Sequence, residues 1–374
     1  MTRPRLALAG LALIAVVARP APEALWGALP VELPAQLTDA EFARLSQSFS
    51  EAGGTFHSDN FISNEGRFQD VIPELVARVK PDGVYVGVGP EQNFTYIAAV
   101  RPRLVFIVDI RRGNLHEHLL YKALFELSPT RADFLSRLFS RHRPNGLTPT
   151  TSVEDLFAAY RTVPASADLY RSTMSAVFDR LNRVHRFALP QEDLDGIEYV
   201  FRSAFYKEGP ELGYALTGSG RVGAVPSYAD LMSMTDQAGK QWSYLSTEDR
   251  FAFVKSLHAR NLIVPVVGNF GGAKALRSVG AYVRRLNEKV NVFYLSNVEQ
   301  YLRQDGIWQT FCANVASMPL DPSSTFIRSV RGAGAGAGGR GRVAMPATGF
   351  GGLNFLSSLG SMATETRTCA AGKQ

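Results

Sequence analysis

Apolar residues along the chain change period twice. Residues 84–88, 104–108, 262–267 and 290–295 are short, nearly unbroken apolar runs that end in Gly, Asp, Asn or Ser, as strands buried on both faces do. Residues 323–330 read as a last strand. Between them the apolar positions recur three and four apart. Phe68, Val71, Ile72, Leu75, Val76 and Val79 predict one helix, the segment after Pro90 a second, and 273–286 and 298–303 two more. Thr38 with Glu41 is a capping box opening a short helix. Residues 115–127, 131–139, 152–161, 167–186 and 191–205 are helical without an intervening strand, punctuated by Pro129, Pro144, Pro149, Pro164 and Pro190. Strands that alternate with helices require a parallel sheet. The expected fold is α/β and Rossmann-like, with a mostly parallel sheet and a large helical insertion at 115–260 in a single domain spanning 37–330. Residues 19–36, rich in Pro and Ala, read as a linker. Residues 331–374 begin with a Gly/Ala/Arg run and read as a flexible tail. Pro265 points to an edge or a bulge, and the glycine-rich stretch 209–223 reads as a loop.

The stretch 83–114 organises the rest: strand, glycine turn, helix, strand, acid. Gly87 and Gly89 suit a tight turn with positive φ and close backbone approach. Pro90 suits the first helical position, and Glu91 complements the helix dipole. Asp109 follows Gly89 by 20 residues, the spacing at which an acid meets ribose hydroxyls. The third glycine of a dinucleotide fingerprint would fall at Gln92, and Glu91 opposes a pyrophosphate there. A ligand with a ribose and no phosphate at the turn therefore fits best. Gly87, Gly89, Glu91, Gln92, Asn93 and Asp109 form the expected cofactor set.

Both strand ends face one crevice in such a sheet. Asn269 and Asn297 end later strands on the same edge, each also able to form a turn or cap a helix. Residues 56–65 are dense in short polar groups. Ser63 or Asn64 can cap the following helix, which leaves Asp59, Asn60 and Glu65 to reach the crevice. The expected substrate contacts are Asp59, Asn60, Asn64, Glu65, Arg111, His116, Asn269 and Asn297. His116 and His118 flank Glu117, but residues two apart on a helix do not share a face, so no metal site is expected.

Composition narrows the function classes. The 374 residues carry 40 Lys and Arg against 34 Asp and Glu, a net charge of +6 with no basic stripe of the kind nucleic acid requires. Cys312 and Cys369 show no metal spacing; one bridge or two free thiols fit equally. Arg3 and Arg5 precede an uncharged apolar run, 6–18, that is too short for a membrane span and reads as a signal peptide cleaved after Ala18. The expected location is periplasmic or secreted, or anchored by that segment if it stays uncleaved.

The run at 56–65, GVGPEQNFTYIA, FIVDIRRGNLHEHLLYKALFELSP, YLSNVEQYL and SSTFIRSV together resemble a bacterial family of uncharacterised proteins, a domain of unknown function that includes a leptospiral conserved hypothetical protein. The resemblance covers roughly residues 50–330 and implies the architecture of class I S-adenosylmethionine-dependent methyltransferases. There the first glycine turn cradles the cofactor's amino acid part, the acid ending the second strand holds the ribose, and an Asn or Asp after the fourth strand faces the substrate. By position these are Gly87 and Gly89, Asp109, and Asn269. Tyr85 stands where that superfamily has an acid and Glu91 where it has its third glycine. The implied activity is methyl transfer from S-adenosylmethionine to a small molecule. An exported small-ligand-binding protein without chemistry is the alternative, and an NADP-type oxidoreductase with Arg111 or Arg112 at a 2′-phosphate is opposed by Glu91. No Gly-x-Ser-x-Gly elbow, Walker loop, His-Glu-x-x-His or paired-Cys motif is present.

Overall fold

A computed structural model describes residues 32–216, 220–221, 225–331 and 355–370. The expected signal peptide, 1–18, and most of the expected linker lie outside them. The end of that linker is docked rather than free: Leu33 is buried, and its carbonyl accepts from Arg103. The chain then enters α1 (Asp39–Phe49) through the Thr38–Glu41 capping box. A 3₁₀ turn, Phe68–Val71, leads into α2 (Ile72–Arg78), so the cap position falls on Arg67 and not on Ser63 or Asn64.

β1 (Val84–Gly87) and β2 (Leu104–Asp109) are buried at every position and pair in parallel, Val84 opposite Leu104, with α3 (Gln92–Val100) as the crossover. The helical block follows as α4 (Arg112–Leu127), α5 (Arg131–Phe139), α6 (Val153–Arg161), α7 (Ala167–Phe178), α8 (Gln191–Val200), α9 (Tyr228–Ser233) and α10 (Glu248–Ala259). Its starts are set locally. Thr130 with Asp133 and Ser227 with Asp230 form capping boxes, and Ser152, Ser166 and Thr247 cap by side chain. Two helices tail off into wider π turns, Asp179–Val184 and Phe201–Tyr206. The glycine-rich loop contains a small antiparallel ribbon, β3 (Ala215–Leu216) with β4 (Gly220–Arg221).

The sheet resumes with β5 (Ile263–Val267), α11 (Ala275–Arg285), β6 (Val290–Ser296), α12 (Val298–Gln304), α13 (Trp308–Ala316) and β7 (Thr325–Arg331). With β8 (Phe355–Ser361) at the far edge, the order is β5-β2-β1-β6-β7-β8, parallel throughout except for the last pair. Pro265 is tolerated because β5 is an edge strand; its carbonyl accepts from Ser46 Oγ at 2.6 Å. Strand order reverses between β1 and β6, and right-handed crossovers then place α3 and α11 on opposite faces. Around Phe94 the rings of His118, Tyr121, Phe125, Tyr244 and His258 fill one layer; Phe49, Phe106 and Tyr282 meet in the other.

The expected tail is corrected in its second half. Residues Phe355–Ser361 form β8, antiparallel to β7 from Thr325↔Ser361 to Arg331↔Phe355, and Met362–Ala370 form α14. This strand is rich in Ser, and its pairing rests on backbone groups that no side-chain pattern reports. Cys312 and Cys369 form a disulfide, Cα–Cα 5.9 Å, which ties α14 to α13. Among the described residues no helix is long and apolar enough to cross a membrane.

The bridge closes a loop 57 residues long and secures the sheet's antiparallel edge. Cys312→Ala with Cys369→Ala is expected to lower stability by about 2–4 kcal/mol in urea unfolding. An unchanged midpoint would show that β8 and α14 hold without it.

Candidate functional site

Ligands in open α/β sheets settle beyond the carboxyl ends of the strands where strand order reverses. A cavity of about 550 Å³ lies at this edge, walled by Gly89 after β1, Asp109 and Arg111 after β2, Asn269 after β5, and Tyr294, Ser296 and Asn297 at the end of β6. That volume is within the range of small-molecule sites.

The glycine turn is held from behind. Gly89 takes φ +77°, as a turn glycine should, but Gly87 does not have positive φ. A Cβ on Gly87 would lie 1.9 Å from Asn93 Oδ1, so the missing side chain makes room for Asn93 and not for a ligand. Asn93 Nδ2 donates to the carbonyls of Val88 (2.9 Å), Gly89 (3.2 Å) and Pro90 (2.8 Å), while its Oδ1 accepts from Tyr85 OH at 2.9 Å. His118 Nε2 is 2.9 Å from the Gly89 carbonyl on the same buried side. Tyr85, standing where a methyltransferase acid would be, is thus a support for the turn. Gly87, Glu91, Gln92 and Asn93 do not line the cavity; of the expected cofactor set, Gly89 and Asp109 do.

Asp109 is engaged by its own neighbour. Arg111 donates Nε to Oδ1 at 3.1 Å, Nη2 to Oδ2 at 2.9 Å and its backbone N–H to Oδ1 at 2.8 Å, and its Nη1 reaches the carbonyl of Asp59. Burial opposes the Arg111 charge, but the Asp109 carboxylate outweighs it and raises the guanidinium pKa. The pair clamps the 55–65 segment against the end of β2.

That segment divides its side chains. Asn60 and Asn64 line the cavity, with Ser63 between them, and Asn60 adopts φ +53°. Asp59 points outward, where Tyr199 OH donates to its Oδ2 at 3.0 Å. Glu65 is buried behind the wall. Its Oε1 accepts from Tyr294 OH (2.9 Å) and Ser296 Oγ (2.6 Å), and its Oε2 from Gln92 Nε2 (2.8 Å), so it orients two wall residues without meeting a ligand. Burial raises the Glu65 pKa, while these donors draw it down. Asn269 spends Oδ1 on the Gly271 N–H at 2.8 Å. Asn297 precedes α12, yet its side chain makes no cap hydrogen bond. His116 is not at the site: Nε2 lies 2.8 Å from Asp193 Oδ1, against α8.

The expectations missed one wall. Phe56, His57, Tyr301 and Asp305 all line the cavity. Asn297, Tyr301 and Asp305 are spaced four apart, one helix face running away from a strand end, and that spacing is the signal that was available.

Behind the turn lies a buried acidic pair. Glu91 is fully buried with neither oxygen hydrogen-bonded among the described residues, and burial, outweighing the nearby amides of Glu91 and Ser63, pushes its pKa up to about 8. Glu117 is raised well above the ordinary value, first by burial and then by the Glu91 charge. Burial takes His118 down to about 4. Among the described residues no group of three or more His, Cys, Asp or Glu is arranged to hold a metal ion.

A carboxyl whose folded pKa exceeds its unfolded value binds more protons in the native state, so stability falls as pH rises between the two. For Glu91 this window runs from 4.5 to about 8. Glu91→Gln should remove that part of the decline and make the protein more stable than wild type at pH 8, by on the order of a few kcal/mol. Urea unfolding at pH 5 and pH 8 measures it; equal pH slopes in the two proteins would refute the assignment.

None of the curated proteins searched matches the chain. A model of the family described as a domain of unknown function, DUF7790, matches residues 60–341, which takes in the glycine turn, the Asp109–Arg111 pair, the helical block and the strand ends that wall the cavity. The chain belongs to the DUF7790 family.

Proposed function

We propose that the crevice binds S-adenosylmethionine and that the protein is a small-molecule methyltransferase of Rossmann-like, methyltransferase-like fold. The observation that carries this reading is the set of groups left uncommitted around the cavity. Among the described residues the side chains of Asn60, Asn64 and Asn297 line it without a hydrogen-bond partner, beside Gly89 and Asp109, and Arg111 is the only Lys or Arg among the described lining residues and is neutralised by Asp109. Amides without a free cation suit hydroxyl, amino and carboxylate groups on a ribose-bearing ligand better than a phosphate. Counting only the large sheet in chain order, the strands run 3-2-1-4-5-6 with the last antiparallel, the doubly wound order with its switch point at the cavity.

Two points adjust the roles implied by resemblance. Asn269 follows the third strand of the large sheet, so the position after the fourth is Asn297. Asp109 Oδ1 already accepts twice from Arg111, but Oδ2 accepts once and has a second acceptor direction, so a ribose hydroxyl can share Oδ2. The cofactor would supply a sulfonium-bound methyl group. The chain's own part is alignment and exclusion of water, and alignment alone is worth several kcal/mol of barrier. Asn60, Asn64 and Asn297 would orient the two molecules.

A second reading, an exported binding protein without chemistry, is favoured by the Cys312–Cys369 bridge. Disulfides persist in oxidising compartments. With the basic, apolar start of the chain this supports a periplasmic or secreted location, where S-adenosylmethionine is not ordinarily supplied.

Thermal unfolding with S-adenosylmethionine, S-adenosylhomocysteine, NAD and NADP separates the readings. A ligand at a hundred times its Kd adds about 2.7 kcal/mol. The adenosyl sulfur compounds alone are expected to raise Tm, and Asn297→Ala to abolish that rise while leaving the unliganded Tm within a few degrees. A shift with NADP, or with none of the four, would overturn the proposal.

A further inference from the structure

We infer that the outer end of the crevice is a subsite for an organic ammonium group, the head of a second small molecule. This rests on the crevice being a ligand site and is independent of which nucleoside occupies its inner end. Three rings gather there. Phe56 and Tyr301 meet edge to face with centroids 5.2 Å apart, Phe56 and His57 lie 4.0 Å apart, and His57 and Tyr301 6.0 Å. Asp305, four residues beyond Tyr301, lines the same cavity and forms no ion pair among the described residues.

Charge then selects the occupant. Asp109 and Arg111 cancel, and no other Lys or Arg is among the described lining residues, so Asp305 is the one unpaired carboxylate among them. Ring faces attract a cation through their quadrupole, most strongly where it is partly desolvated, and a nearby carboxylate adds a direct attraction. An anionic head would meet Asp305 with nothing to offset it. A neutral apolar head would gain only the contact area. The rings and the acid together therefore specify a positively charged nitrogen bearing small alkyl groups.

The test is titration calorimetry of the full mature chain with choline and with its uncharged carbon isostere 3,3-dimethylbutan-1-ol. The two probes have nearly the same shape, so the difference reports charge alone. Choline is expected to bind saturably, about ten-fold or more tighter than the isostere, and Tyr301→Leu and Asp305→Asn are each expected to weaken it about five-fold or more. Tyr301 is partly exposed and Asp305 exposed, so both variants should keep the wild-type unliganded Tm. Equal binding of the two probes, no saturable choline binding, or choline affinity untouched by both substitutions would overturn the inference. An adenosyl-induced Tm shift without choline binding removes this subsite alone. Choline binding without an adenosyl shift removes the nucleoside reading alone.

Discussion

The ion pair between Asp109 and Arg111 is the constraint on which the site depends. Without it the end of β2 would carry a buried, uncompensated carboxylate, and the carbonyl of Asp59 would lose its donor. Breaking a buried pair at one partner is strongly destabilising, because the remaining charge has nowhere to go. The same guanidinium thus neutralises the crevice floor and pins the segment that supplies Asn60 and Asn64. Charge balance and wall position come from one side chain.

A second layer of support lies behind the glycine turn. Asn93 fastens three successive carbonyls, and Tyr85 fastens Asn93, so the turn keeps its shape with no ligand bound. Glu91 and Glu117 sit against this layer as buried acids whose pKa values burial raises, and neither Glu91 oxygen has a hydrogen-bond partner among the described residues. Buried polar groups left unmatched cost stability.

How far the chain could be read in advance follows from which interactions are local. The strands, the glycine turn and the acid after β2 show in the sequence because apolar runs and glycine have short-range causes. The caps at Thr38 and Ser152 are equally local. What sequence pattern misses is partner choice. Gly87 and Asn93 look like ligand contacts until the Oδ1 of one is found in the space beside the other. Asp59 and His116 carry the right chemistry but are taken by Tyr199 and Asp193, which lie 140 and 77 residues away. β8 carries little periodic signal because backbone pairing with β7 holds it. The α/β class with its mostly parallel sheet and the place of Gly89 and Asp109 on the cavity wall were therefore visible, and the aromatic wall at Phe56 and Tyr301 was not.

The account stands or falls on what fills the crevice. The most direct measurement is a crystal structure of the protein grown with S-adenosylhomocysteine. The expected result is a ribose hydroxyl sharing Asp109 Oδ2 with Arg111, and the remaining polar groups of the ligand met by Asn60, Asn64 or Asn297. A well-ordered structure at saturating ligand with the crevice empty, or with the nucleoside bound elsewhere, would contradict it.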